Sequence, residues 1–174
     1  LIDLTYYLNH YYFVSLVAFI LIFLPANRAY SIDTILFQNG KSWKNVPAWT
    51  INILKFQLAI VYIYAGIAKV NPDWLIHAMP LKIWLKAHSE IPVFGPLLFQ
   101  DWVAYAFSWA GCFFDLFVVF FLLNSRTRLF AYIALVSFHL VTGFLFPIGM
   151  FPYIMIALTA IFFSSSFPTQ LLSF

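Results

Sequence analysis

"WTINILKFQLAIVYIYAGIAKVNP", residues 49–72, decides the fold. From Trp49 to Ala68 it is apolar apart from Lys55 and a few uncharged polar residues, and it has about the 20 residues that a helix needs to cross hydrocarbon. It stops at Lys69 and Asn71-Pro72, where proline removes a backbone donor and restricts the residue before it. Composition places the stretch in lipid. The 174 residues are 64% hydrophobic, 22% aromatic and only 9% charged, with a mean hydropathy of +0.91. Soluble domains carry roughly 25% charged residues, so this chain cannot cover a water-facing surface. It is an integral membrane protein, and hydrocarbon admits helices because each satisfies its own backbone polar groups.

Four further stretches resemble this one: about Tyr6 to Leu24, Trp102 to Leu123, Leu129 to Phe146, and a shorter one from Met150 to Phe163. The expected fold is all-α, a polytopic bundle of about five spans forming a single membrane domain over residues 1–174. A connector, residues 70–101, contains Pro72, Pro80, Pro92 and Pro96. Within it "MPLKIWLKAH", residues 79–88, alternates apolar residues with Lys82 and Lys86, as a helix lying in the headgroup layer does. Such a helix would roof something. The chain starts at Leu1 with no signal-peptide pattern, and is expected to be a piece of a longer protein.

The net charge of +3 is too dispersed for a nucleic-acid footprint. A single cysteine, Cys112, excludes an internal disulfide, and no Cys/His pair has zinc-ligand spacing, so no metal is expected. With alternating loops, Arg28, Lys41, Lys44, Lys55, Arg126 and Arg128 fall on one side and Lys69, Lys82 and Lys86 on the other. The first side is then cytoplasmic, and Lys69 faces the extracytoplasmic side. In the loop "ANRAYSID", Arg28 and Asp33 are expected to pair.

Ionisable groups at membrane depth are costly and usually face the bundle interior with a partner. Lys55, Ala59, Tyr62, Gly66 and Lys69 recur at helical spacing and share a face. Ala65 and Gly66 remove bulk one turn before Lys69, leaving room for another helix or a flat ligand. Lys69 itself is either an anchor that snorkels to the headgroups or a desolvated amine, whose burial disfavours the ammonium and favours a base. Ser108, Gly111, Cys112 and Asp115 share a second face, and Asp115 needs a partner there; it suits interhelical glue as well as catalysis, and is kept outside the expected catalytic set. His139, in "VSFHLVTGF", suits an interhelical hydrogen bond or a site. Asn9 and His10, in "YLNHYYF", suit a helix cap or a site, and position does not choose. "LFPIGMFPY", residues 145–153, is a turn with Pro147 and Pro152 as breakers and Gly149 as its flexible point.

The ordered set "NHYYFVSLVAF", "ANRAYSID", "QLAIVYIYAGIAKVNPDW", "SFH" and "FPIGMF" resembles the membrane domain of the vitamin K-dependent gamma-carboxylase family, also described as the horizontally transferred transmembrane domain family. The resemblance covers nearly the whole chain. It implies a membrane enzyme that uses O2 to convert vitamin K hydroquinone to the epoxide and uses the strong base so generated to take a gamma proton from protein glutamate, which then adds CO2. It further implies Lys69 as the base that deprotonates the hydroquinone, with His10 and His139 as supporting site residues. Tyr62, Ala65 and Gly66 are the candidates for contacting the quinol. A quinol with an isoprenoid tail dissolves in the bilayer, so a site among helices near one face can take it laterally from lipid. Its hydroxyl, expected near the tyrosine reference of about 10, needs a neutral base. Where the family enzymes that act on clotting factors have two adjacent lysines, this chain has Ala68 and Lys69. The expected partners are the lipid bilayer and a protein glutamate substrate. The rival reading is a non-catalytic module that binds a quinone or lipid or anchors a partner, with Lys69 as an interfacial anchor.

Overall fold

The computed structural model describes residues 9–25, 32, 46–88, 90–92 and 94–164. All its regular elements are helical: α1 (Asn9–Ile22), α2 (Ala48–Ala68), α3 (Pro72–Leu75), α4 (Met79–Lys86), α5 (Gly95–Leu98), α6 (Asp101–Leu123), α7 (Arg128–Leu145) and α8 (Phe151–Thr159), the last running into a 3-10 turn, Ala160–Phe162. Three of them, α2, α6 and α7, are long and apolar enough to cross a membrane, while Tyr11–Ile22 and Phe151–Phe162 are shorter apolar helices. The five expected stretches are thus all helical, with the spanning length confined to three among the described residues. The Arg28–Asp33 pairing lies outside the described residues, as do the side chains of Asn9 and His10.

The chain divides into two compact units, Leu1–Gln57 and Leu58–Phe174, with α2 contributing to both. In the first unit Phe13 and Val17, four residues apart on α1, are buried. Thr50 in the first turn of α2 donates its hydroxyl to the Pro47 carbonyl at 2.7 Å.

The second unit holds the candidate site. On α6 the buried face runs Ser108, Gly111, Cys112, Asp115, Val118 and Leu122, while Phe113, Phe117, Phe120 and Phe121 point outward. This is the inversion a bilayer permits: large apolar side chains face lipid, and small and polar ones meet between helices. On α7 the buried positions are Ala131, Leu135, His139 and Leu145, mostly one helical turn apart. Gly143 faces α8, where an added Cβ would come within 3.1 Å of the Pro152 ring. In the turn between these helices Gly149 adopts a φ of 61°, a conformation that favours glycine.

The connector contains three short helices rather than the single interfacial one expected. Asn71 ends one helix and starts the next: its amide donates to the Ala68 carbonyl at 2.8 Å and its side-chain oxygen accepts from the Trp74 backbone N–H at 2.9 Å. Pro72 fills the first position of α3, where its missing N–H costs nothing. On α4, Leu81 and Leu85 are buried with Ala78, Leu98, Val103 and Ala104. Lys86 pairs with Asp101 in the first turn of α6 at 2.9 Å, and Lys82 lies 3.5 Å from the same carboxylate. Hydrogen bonding to Tyr105, aided by Asp101, holds Lys82 protonated above the ordinary lysine range. At the other end of α6, Arg128 donates to the carbonyls of Leu122 and Leu123 at 2.9 and 3.2 Å, satisfying groups that a helix terminus leaves open.

Candidate functional site

Lys69 follows directly on the last residue of α2. Its ammonium donates to the Ala65 carbonyl one turn back at 3.1 Å and to Asp115 Oδ2 at 2.5 Å. The Lys69 side chain is 20% exposed and that of Asp115 only 6%. The carboxylate that needed a partner in the middle of α6 therefore has one, the lysine at the end of α2. The Trp74 ring lies over the ammonium, its centroid 5.4 Å from Nζ.

What allows this approach is the loss of bulk before Lys69. Gly66 sits against α6: an added Cβ would come within 2.6 Å of Leu116 Cγ and 2.9 Å of the Leu116 backbone nitrogen. The Cys112 thiol also reaches the Gly66 carbonyl, at 3.7 Å. Of the two residues that the sequence expected to leave room for a helix or a flat ligand, only Gly66 is taken up by a helix. Gly66 admits α6, and Ala65 borders a cavity.

That cavity has a volume of about 270 Å³ and is bordered by Tyr62, Ala65, Lys69, Asp115, His139 and Thr142, with aromatic and aliphatic side chains forming the rest of its wall. Tyr62 and His139 are both buried, and Tyr62 Oη lies 2.9 Å from His139 Nε2. Thr142 donates its hydroxyl to the His139 carbonyl at 3.1 Å. Thr159 on α8 is buried as well.

On one side the cavity is roofed by a chain of aromatic rings. Trp74 meets Trp84 with centroids 6.4 Å apart, and Trp84 meets Phe146 at 5.7 Å. Trp74 is locked to α6 by a reciprocal pair of bonds: its indole N–H donates to the Ser108 carbonyl at 3.0 Å, and the Ser108 hydroxyl donates to the Trp74 carbonyl. Trp109 adds an indole bond to the Leu75 carbonyl at 2.8 Å. These bonds hold the α3 segment over the site.

Of the residues singled out in the sequence, Lys69, Tyr62, Ala65 and His139 come together around one cavity. Gly66 packs between helices instead, and the His10 side chain lies outside the described residues. Asp115, singled out in the sequence but left outside the expected catalytic set, borders the cavity with Lys69 as its partner, and Trp74 enters by structure alone. Among the described residues no group of three or more His, Cys, Asp or Glu side chains is placed to hold a metal ion.

An apolar helical bundle enclosing an ion pair and a Tyr–His pair defines a membrane domain with a buried polar site. The HTTM domain family matches residues 1–167, and the chain belongs to that family. No solved structure matches the chain.

Proposed function

We propose that the chain is the membrane part of an enzyme acting on vitamin K hydroquinone, in which the Lys69–Asp115 pair takes the hydroxyl proton whose removal starts oxygenation to the epoxide. The observation that carries this reading is the ion pair at 2.5 Å bordering an aromatic cavity. In the full reading, O2 is consumed in epoxidation and CO2 is added to protein glutamate, at the extracytoplasmic face of a multi-pass protein embedded in the lipid bilayer. His10 supports the site by family resemblance.

The cavity's composition fits such a ligand. Trp74, Trp84, Phe107, Phe138, Phe146 and Phe151 suit a flat aromatic ring. The Lys69–Asp115 and Tyr62–His139 pairs supply polar partners for two hydroxyl oxygens. An ammonium and a carboxylate in contact share one proton between two basic sites, so the pair as a unit has room for one more. With the shared proton on Asp115, Lys69 is a neutral amine and takes the hydroxyl proton; Lys69 is then an ammonium and Asp115 a neutral acid, and the positive charge lies beside the oxygen that lost its proton. Total charge is unchanged, which favours the step where water is scarce. Trp74 keeps water from the ammonium on the roofed side.

In the full-length protein, Lys69→Ala is expected to lower epoxide formation by about 10²- to 10⁴-fold, the usual contribution of a positioned proton acceptor, with membrane insertion intact. Undiminished epoxide formation would remove the base role. A second reading, a non-catalytic quinone- or lipid-binding module, also finds support in the ion pair, because an ammonium with two acceptors already ties two helices together. In that case Lys69→Arg leaves function unchanged, since arginine keeps the charge.

A further inference from the structure

The two helices that roof the Lys69 cavity are attached in different ways. Leu81 and Leu85 seat α4 in an apolar core with Leu98, Val103 and Ala104. None of the four residues of α3 is buried, and its side-chain tethers to α6 are hydrogen bonds: Trp74 with Ser108 in both directions, and Trp109 with the Leu75 carbonyl. Between α3 and α4 stands Ala78 with a φ of 49°, a left-handed conformation that is costly for a residue with a Cβ. Such residues persist only where packing holds them, and they gather at switch points. Ala78 is fully buried in the α4 core, so the strained residue belongs to the seated part and marks where the loosely held part begins.

We propose that residues 72–77 form a flap between hinges at Asn71 and Ala78, which carries Trp74 on and off the Lys69–Asp115 pair while α4 and Trp84 stay in place. The role given to the flap rests on the function proposed above and adds a conformational step to it. A segment with few buried apolar contacts opens at a lower free energy than the core beside it, and here only polar tethers have to break. Asn71, Asp73 and His77 are exposed, so the outer surface of the segment is polar and faces water. With the Trp74 ring 5.4 Å from Nζ, the side chains of Lys69 and Asp115 are 20% and 6% exposed, which keeps most water away while the pair takes a proton. The same proton then has to leave. With the flap raised, Lys69 gives it to a water molecule or buffer base on the connector side, and the pair returns to one shared proton. Closure for the transfer and opening for the discharge are what a lid supplies.

The test uses the full-length protein in lipid nanodiscs, without quinol, and a charged methanethiosulfonate that does not enter lipid. Ala65→Cys puts a thiol on the cavity wall under Trp74, Leu85→Cys puts one in the core that seats α4, and mass spectrometry of the matching peptide gives each rate of modification. The Ala65→Cys site is expected to react, and adding Trp109→Phe, a change at a half-exposed position away from the cavity, is expected to speed it about fivefold, the effect of one lost hydrogen bond. Ser108→Ala is expected to do the same. The Leu85→Cys site is expected to react far more slowly and to be unmoved by either change, which also shows that the variants are folded. Equal acceleration at both sites overturns the flap, because the connector then opens as one piece. An Ala65→Cys rate that neither tether variant changes also overturns it, because access then does not run past α3. Epoxide formation is measured separately: its absence in the unmodified protein overturns the proposed function and with it the discharge role, while the labelling still decides whether α3 opens alone.

Discussion

Lys69 and Asp115 are 46 positions apart in the chain and meet at 2.5 Å, joining the end of α2 to the middle of α6. Neither charge is stable alone at this depth. Together they tie two helices and leave one basic site facing an aromatic cavity.

The first expectation concerns this pair. Removing one member strands the other, at a cost of about 3–5 kcal/mol for a fully buried pair. Lys69 is one-fifth exposed, so Asp115→Leu is expected near or below the lower end of that range. The double variant Lys69→Met, Asp115→Leu is expected to regain most of the stability and none of the activity. Thermal unfolding of the two single variants and the double variant closes the cycle.

Gly66→Ala is expected to destabilise the α2–α6 contact by about 1–3 kcal/mol, in the range of overpacking. The added methyl meets Leu116 side-chain atoms at 2.6 and 2.7 Å and its backbone nitrogen at 2.9 Å. Leu116→Ala clears the side chain but not the backbone, so rescue in the double variant should be partial. The melting temperature is the readout, and equal stability of Gly66→Ala and wild type would contradict the close approach.

Tyr62→Phe leaves His139 Nε2 without its partner at 2.9 Å, at a cost of about 1–3 kcal/mol for a buried unsatisfied group. Activity should fall less than in Lys69 variants, because the ion pair remains. Parallel measurements of melting temperature and epoxide yield separate the two effects.

Ser108→Ala removes one of the two bonds that lock Trp74 to α6, worth about 1 kcal/mol. A loosened roof should raise the KM for quinol more than it lowers kcat. A change in kcat alone would mean that Trp74 does not position the ligand.

Much of this was legible in the sequence, and the reasons differ by element. The long spans stand out because hydrocarbon demands continuous apolar length, and α2 ends just before Lys69, at Ala68, because Asn71-Pro72 both closes it and opens α3. The polar face of α6 could be read from spacing alone, since Ser108, Gly111, Cys112 and Asp115 recur at helical intervals. The partner of Asp115 could not, because periodicity gives a residue's face but not which neighbouring helix turns toward it. The same limit hid the division between Ala65, at the cavity, and Gly66, against Leu116: adjacent residues differ by a rotation that only the packed pair of helices fixes. In the connector, four-residue helices such as α3 and α5 are too short to leave a periodic signal, so only α4, with Lys82 and Lys86, was anticipated. The last stretch was visible as apolar sequence, and the 3-10 turn at Ala160–Phe162 ends it short of a full span.

The most direct test of proton transfer at the ion pair is epoxide formation from vitamin K hydroquinone by Lys69→Arg in the full-length protein, reconstituted in liposomes. Arginine preserves the positive charge but does not become a neutral base, so the expected result is loss of epoxide by at least about 10²-fold in a correctly inserted protein. Epoxide formation at the wild-type rate would contradict the account and leave Lys69 as a structural tie between α2 and α6.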